Sequence, residues 1–180
     1  MRLQDIAPIS RSYRENLFGF HAFRYHPLVS GLGWPDDVLE QWLYDHGDNG
    51  AFLRDYGNLN LSAVAWTVEA IATQEFLAMP TGRSDGSCID GYAADPNHWI
   101  SVRQHGVHAG VSLCWATHGT WKRWPILVDR SLVDATTGLQ VVEGRTRVGI
   151  LRGRHRENDR VAPQHLAWVG RPAADPSQTA

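Results

Sequence analysis

The ten residues from Leu139 to Val148, LQVVEGRTRV, carry the strongest fold signal in the chain. Residues 139–142 are β-favouring and predict a strand. A helix is predicted to begin right after Gly144, with Val148, Ile150 and Leu151 as its apolar residues. The segment therefore predicts a strand, a tight glycine turn and a helix.

The flanking sequence extends this pattern in both directions. Residues 125–129, PILVD, form a short apolar run that predicts a buried strand, and residues 134–138, DATTG, predict a turn. Residues 165–169, HLAWV, predict a closing strand. The order is strand, turn, strand, Gly-x-x-Arg, helix and strand, which places the chain in the mixed α/β (α+β) class.

This order resembles the ParB/sulfiredoxin superfamily over residues 124–171. The matching features are a proline-led strand at Pro125, a glycine turn at Gly138, the apolar pair at 141–142, the acidic Glu143, and Gly-x-x-Arg at 144–147. The resemblance implies a small mixed sheet with flanking helices and a helical N-terminal portion. It also implies a phosphate or nucleotide site, with ATP or CTP and Mg²⁺ as the expected cofactor. Arg24–Pro27 is faintly similar to a segment that precedes the first ParB helix.

The motif has a physical interpretation of its own. A helix N-terminus presents backbone N–H groups and a partial positive charge, glycine permits close approach, and arginine adds fork-shaped donors. We therefore expect Gly144, Arg145, Thr146 and Arg147 to bind phosphate. The alternative is a tight turn whose arginines are merely solvated. Glu143 is the catalytic candidate, as a general base or a magnesium ligand, and the alternative for it is an ion pair with a nearby arginine.

Departures from the family narrow the expected activity. Sulfiredoxins carry a cysteine directly after the motif's glycine, and Arg145 stands there in this chain. ParB clamps continue into further helical domains, so a CTP-gated DNA clamp is not expected. The leading hypothesis is a nucleotide- or phosphate-binding ParB-like domain, with enzymatic activity left open. The alternatives are a DNA- or RNA-associated protein, such as a nuclease or accessory factor, and a non-enzymatic protein-interaction domain.

Composition bounds these hypotheses. The 180 residues are 43% hydrophobic with a net charge of −2, so a packed core is possible and a bulk DNA-binding protein is not favoured. Residues 1–120 carry 7 basic and 13 acidic side chains, whereas residues 121–160 carry 9 and 5. Neither Cys88 nor Cys114 belongs to a CxxC pair. The sequence shows no signal peptide and no apolar stretch of membrane-spanning length, so we expect a cytoplasmic protein without a membrane partner.

The rest of the chain is predicted as part of the same domain, over residues 1–171. Residues 34–79 are expected to be mainly helical, either as a lid over the phosphate site or as packing behind the sheet. Residues 98–171 are expected to hold the ParB/sulfiredoxin-like core. Local patterns predict helices from Pro35, over 51–55 and over 61–79, a long loop over 80–97, strands at 18–23, 99–103 and 111–115, and a disordered tail at 172–180.

Histidines offer a less favoured chemistry. His98, His105, His108 and His118 fall close together in sequence and could hold zinc or iron, but their spacing matches no metal signature. We therefore predict no metal site. A Cys114–His118 nucleophile pair is conceivable, although a buried structural cysteine is the simpler interpretation. The arginines from 145 to 160 are expected to form a solvated basic helix end, with nucleic-acid contact as the alternative.

Overall fold

The computed structural model describes residues 1–102 and 106–174, and a four-stranded mixed sheet lies at its centre. The strands are β1 (Val64–Ala72), β2 (Ile126–Asp129), β3 (Leu139–Glu143) and β4 (Gln164–Pro172), in the order β1-β4-β2-β3. β4 is antiparallel to β1 and parallel to β2, while β2 and β3 are antiparallel. The predicted mixed α/β class is confirmed.

Helices from the first third of the chain cover one face of the sheet. They are α1 (Leu3–Glu15), α2 (Gly19–Phe23), α3 (Pro27–Ser30), α4 (Asp36–Val38), a π-helical turn over Leu39–Tyr44, and α5 (Gly50–Tyr56). Ile126, Val128 and Val142 point from the sheet into this layer, where they meet buried side chains such as Trp42 and Phe52. We call this side the first face.

The second face is covered by α6 (Thr73–Ala78), α7 (Cys88–Ala94), α8 (Pro96–Ser101), α9 (Val111–His118) and α10 (Arg145–Arg156). Because side chains alternate along a strand, Leu127, Val141 and Val169 point to this side and pack among the helices. β2 is therefore buried on both faces. Three-residue 3₁₀ turns complete the described elements at Leu61–Ala63, Arg83–Asp85, Gly106–His108 and Arg130–Leu132.

Two glycines let α7 and α8 approach α10 closely. A Cβ at position 149 would lie 2.4 Å from Cβ of Tyr92 and 2.8 Å from the carbonyl oxygen of Ile89. A Cβ at position 153 would lie 2.6 Å from the carbonyl oxygen of Ala93. The two positions are four residues apart and so share one side of the helix, where no side chain fits.

The C-terminal pattern is confirmed element by element. The strands predicted at 125–129, 139–142 and 165–169 are β2, β3 and β4, and the helix predicted to follow Gly144 is α10. The helices predicted at Pro35 and over 51–55 are also present, as α4 with its π-helical continuation and as α5. Pro172 ends β4, and residues 175–180 of the predicted tail lie outside the described residues.

The helix predicted over 61–79 is wrong for most of its length. Residues 64–72 form β1, and only Thr73–Ala78 is α-helical. The sequence here, VAWTVEAIA, is rich in β-branched and aromatic residues, and β4 offers all nine of its residues a partner. Strand pairing therefore overrides the helical spacing of the apolar residues. Residues 34–79 accordingly have helices before and after a strand.

Four other local predictions are also wrong. The strand predicted at 18–23 is the helix α2, the strand predicted at 111–115 falls on α9, and the loop predicted over 80–97 contains α7. Of the strand predicted at 99–103, residues 99–101 belong to α8 and Arg103 lies outside the described residues. Asp95 caps α8 by accepting a hydrogen bond from the His98 N–H, and Pro96 suits its first turn. These boundary residues outweigh short apolar runs that suit a helix and a strand equally.

No helix among the described residues is long and apolar enough to cross a membrane.

Candidate functional site

A pocket of about 350 Å³ opens where α10 begins. One wall is the turn from Glu143 to Arg147, which contains every residue that the sequence predicts to form the phosphate site. Gln41, Asp45 and His46, from the π-helical turn and the residues after it, form the second wall. The third wall is largely aromatic. The structure thus brings the predicted residues together in one concave site, the usual form of a ligand site.

Gly144 sets the geometry of the turn. It caps α10 with a left-handed φ of 95°, which favours glycine. A Cβ here would also lie 2.6 Å from Cβ of Pro125 at the start of β2. Glycine is therefore required both by the backbone and by the packing of β2 against the turn. The result is a helix N-terminus that opens directly into the pocket.

Arg147 holds the pocket walls to one another. Its Nη1 donates to the Gln41 side-chain oxygen at 2.8 Å and to the carbonyl oxygens of Arg123 and Trp124 at 3.0 and 3.2 Å. Its Nη2 forms an ion pair with Glu143. These contacts join α10, the π-helical turn and the segment before β2. The main role of Arg147 in the ligand-free pocket is therefore structural.

Arg145 is held on the other side of the helix start. It forms an ion pair with Asp85, and its guanidinium lies 4.5 Å from the ring centroid of Phe52. The side chain is only 14% exposed, so it is not the solvated arginine that the alternative interpretation expects. Its guanidinium thereby joins α5 and the 83–85 turn to the start of α10. Arg145 also lines the pocket.

Glu143 lies between a cation and an imidazole. Besides its ion pair with Arg147, its Oε1 is 4.0 Å from Nε2 of His46, whose ring stacks on Phe52 with 5.0 Å between centroids. The ion pair that the sequence offered as an alternative role is present, and the residue still lines the pocket. Asp45 is exposed at the rim, where desolvation by the wall raises the pKa of its carboxyl and His46 opposes that shift.

The third wall is apolar and aromatic. Tyr92, Trp115 and Trp121 line it together with Val111 and Ile150. Trp121 donates its indole N–H to the Leu166 carbonyl at 2.8 Å. The indole N–H of Trp115 is buried and has no hydrogen-bond partner among the described residues. An unpaired buried donor is costly.

Two further cations lie on the edge that joins the polar and aromatic walls. Arg123 forms ion pairs with Asp37 at 2.6 Å and Glu40 at 2.5 Å. Lys122 is exposed and donates to the Ala109 carbonyl at 2.8 Å. The three pocket arginines at 123, 145 and 147 all have carboxylate partners, so the local positive potential is moderate.

The histidines and cysteines considered from sequence lie on several elements. No group of three or more His, Cys, Asp or Glu side chains in the described ranges could hold a metal ion. His108 lines the pocket, whereas His98 and His118 lie on α8 and α9, and His105 lies outside the described residues. Cys114 and His118 are one turn apart on α9.

The basic end of α10 is largely engaged by the protein itself. Arg152 donates to the carbonyls of Phe76 and Met79 at 3.0 and 2.5 Å, and Arg156 donates to the Ala93 carbonyl at 2.5 Å. Arg154 pairs with Asp159 at 3.4 Å. These arginines close the C-terminal half of the helix against α6 and α7, which weakens the case for a nucleic-acid surface there.

Comparison of the chain with family models, curated proteins and solved structures gives no match. The site therefore rests on its own geometry. Sequence reasoning missed Gln41, Asp45, His46 and the aromatic wall, because these residues reach the pocket from elements far apart in the chain. The one available signal was the density of tryptophan, since eight in 180 residues is high.

Proposed function

We propose that this protein binds a nucleotide, with a phosphate group at the start of α10 and the base against the aromatic wall. The observation that carries the proposal is that one pocket joins a glycine-capped helix N-terminus to a wall of Tyr92, Trp115 and Trp121. The resemblance of residues 124–171 to the ParB/sulfiredoxin superfamily supports the same ligand class.

The polar end suits a phosphate. A helix N-terminus directs backbone N–H groups and the positive end of the dipole toward a bound anion. Gly144 and Thr146 line this end of the pocket, and Arg145 and Lys122 contribute positive charge to it. The aromatic end suits a base, because every base offers a ring face on which an aromatic side chain can stack. Tyr92 is the partly exposed ring of this wall, whereas Trp115 and Trp121 are buried.

The charge balance makes magnesium relevant. Asp45 and Glu143 line the pocket, and the pocket arginines are already paired with carboxylates. A triphosphate would bring more negative charge than these walls neutralise. Because Mg²⁺ binds through one or two carboxylates together with substrate phosphates and water, Glu143 or Asp45 would supply the protein ligand. Glu143 also remains the candidate general base, since it lies beside His46.

The decisive experiment is thermal unfolding with ATP, ADP, CTP or GTP, each with and without Mg²⁺. A ligand that binds only the folded state raises its stability by about 2.7 kcal/mol at one hundred times its Kd. We expect one nucleotide to raise the Tm more than inorganic triphosphate does, because the triphosphate lacks a base. Failure of every nucleotide to raise the Tm at millimolar concentration would contradict the proposal.

Lys122→Ala tests whether binding uses this pocket. Lys122 is exposed and donates to the Ala109 carbonyl, so its loss should lower the Tm of the ligand-free protein slightly and should also reduce the nucleotide-induced rise in Tm. Arg160→Ala is the matched control, since it removes one exposed positive charge that does not line the pocket. Equal reduction by both variants would point to nonspecific charge attraction. Arg147→Ala is less informative here, because Arg147 holds the walls together.

A further inference from the structure

The outer edge of β1 is the longest open strand edge among the described residues. β1 is nine residues long, its neighbour on one side is β4, and it is the terminal strand of the sheet. Ala65, Thr67, Val68 and Ala70 are exposed. The strand holds neither proline nor lysine, the residues that usually protect an edge from pairing.

The single charge on β1 is already neutralised within the chain. Arg171 on β4 donates two hydrogen bonds to Glu69, from Nε to Oε1 at 2.9 Å and from Nη2 to Oε2 at 2.8 Å. Thr67 donates its hydroxyl to the same carboxylate at 3.0 Å. These contacts lower the pKa of Glu69, the Arg171 hydrogen bond contributing most. The carboxylate therefore gives the edge little net repulsion toward another strand.

We infer that β1 pairs antiparallel with β1 of a second copy of this chain, about a two-fold axis at Val68, to give one continuous eight-stranded sheet. An isologous contact of this kind must be complementary to itself. In this register Trp66 lies opposite Ala70 of the second copy, and Ala65 lies opposite Ile71, so each large side chain meets a small or slender one. Glu69 lies opposite Thr67, so no like charges face each other directly.

The exposed apolar side chains of this region fit the same interface. Val68 is 39% exposed and would meet its own copy at the axis, where β-branched pairs are favourable. Leu166 on β4, 42% exposed, lies on the same side of the sheet, next to Ala70 in the β1–β4 pairing. Pairing removes backbone N–H and C=O groups from an open edge and buries part of this patch.

The first test is the molecular mass of the whole chain by sedimentation at increasing concentration. We expect a reversible monomer–dimer equilibrium that Val68→Lys shifts to monomer, because the two-fold axis places the two lysines opposite each other. Leu113→Lys is the matched control, since Leu113 is 68% exposed on α9 and should leave the dimer intact. A molecular mass that stays at the monomer value at every concentration overturns the inference. The open edge of β1 would then be available only to an extended peptide of another protein.

Cross-linking tests the register. In a chain with Cys88→Ser and Cys114→Ser, Val68→Cys should form a disulfide-linked dimer readily, because directly opposite Cβ atoms in antiparallel strands are about 5 Å apart. Thr67→Cys should cross-link much more slowly, since its opposite residue is Glu69 of the second copy. A dimer that resists Val68→Lys, or that cross-links through position 67 as fast as through 68, contradicts this pairing.

Discussion

The two faces of the sheet are covered in different ways. On the first face, large side chains such as Trp42, Phe52 and Tyr56 fill the space between helices and sheet. On the second face, backbone approaches backbone at Gly149 and Gly153, and a polar residue, His165, is almost completely buried. Both faces are therefore covered by large apolar clusters, and the second face also has close backbone contacts at two glycines.

The candidate site lies where these two layers join. The turn at Gly144 starts the helix that covers the second face, and Arg147 on that helix reaches Gln41 in the layer of the first. A change at the join should therefore disturb both layers at once. The following four predictions compare the join with the second face, from the largest expected effect to the smallest.

Gly144→Ala should have the largest effect. The substitution forces an L-residue into a left-handed conformation and drives its Cβ against Pro125. We expect a loss of about 3–5 kcal/mol, from about 1–2 for the backbone and the remainder for the overlap. Urea unfolding measures this loss directly, and the pocket should be disturbed with it.

Gly138→Ala separates the two causes. Gly138 has a similar φ of 90°, but a Cβ there would meet nothing within 4 Å. We expect a loss of only about 1–2 kcal/mol. Equal losses at 138 and 144 would show that the contact with Pro125 is unimportant, and the join would then be no more sensitive than an open turn.

His165 should make the second face sensitive to pH. Thr73 donates its hydroxyl to the Ala162 carbonyl at 2.5 Å and so accepts from His165 Nε2–H at 3.0 Å, while Thr120 donates to Nδ1 at 2.7 Å. The neutral ring is thus held from both sides. Burial lowers the pKa of His165 from 6.5 to about 4.

Because the pKa of His165 is lower in the folded chain than in the unfolded chain, acid should destabilise the fold. Between about pH 6.5 and pH 4 the unfolded chain binds a proton at His165 that the folded chain does not, so stability falls as the pH is lowered. The full loss is about 3 kcal/mol. Unfolding of the native chain and of His165→Gln at several pH values isolates the effect, because carboxylate contributions are common to both. If the free energy of unfolding changed with pH by the same amount in both proteins, His165 would not be the cause and the prediction would be contradicted.

The C-terminal segment and the pocket differed in how well the sequence predicted them. The strand–turn–strand–helix–strand pattern from Pro125 to Val169 was predicted correctly, because glycine turns separate short apolar runs that match buried strands. The clustering of Glu143, Gly144 and Arg145 followed from adjacency in the chain. The pocket itself was not predictable to the same extent, since Asp45 and Trp115 join it only through tertiary packing.

The elements that were predicted wrongly share a physical cause. Residues 64–72 have helical apolar spacing, yet β4 supplies a partner strand that local sequence does not reveal. Residues 88–94 lack a strong apolar stripe, and α7 is stabilised by lying against Gly149 and Gly153 on α10. In both segments, a partner distant in sequence decides the local structure.

Arg147→Ala should cost about 2–3 kcal/mol, the range expected for hydrogen bonds that involve a charged group. The loss leaves Glu143 without its arginine partner and removes the side-chain donor of the Arg123 carbonyl. Arg171→Ala is the control, because its ion pair with Glu69 is exposed and should contribute at most about 1 kcal/mol. Thermal unfolding compares them, and equal effects would argue that Arg147 does not join the layers.

Gly149→Ala should have the smallest effect, a loss of up to about 2 kcal/mol. Alanine favours a helix by about 1 kcal/mol over glycine, but its Cβ would overlap Tyr92 and the Ile89 carbonyl, and overpacking typically costs about 1–3 kcal/mol. Gly91→Ala on α7 supplies the contrast, since a Cβ there meets nothing within 4 Å and should stabilise by about 0.5–1 kcal/mol. Opposite signs in urea unfolding would show that contact between α7 and α10, and not helix propensity, governs the second face. A stabilising Gly149→Ala would instead show that α7 can move enough to accommodate the added methyl group.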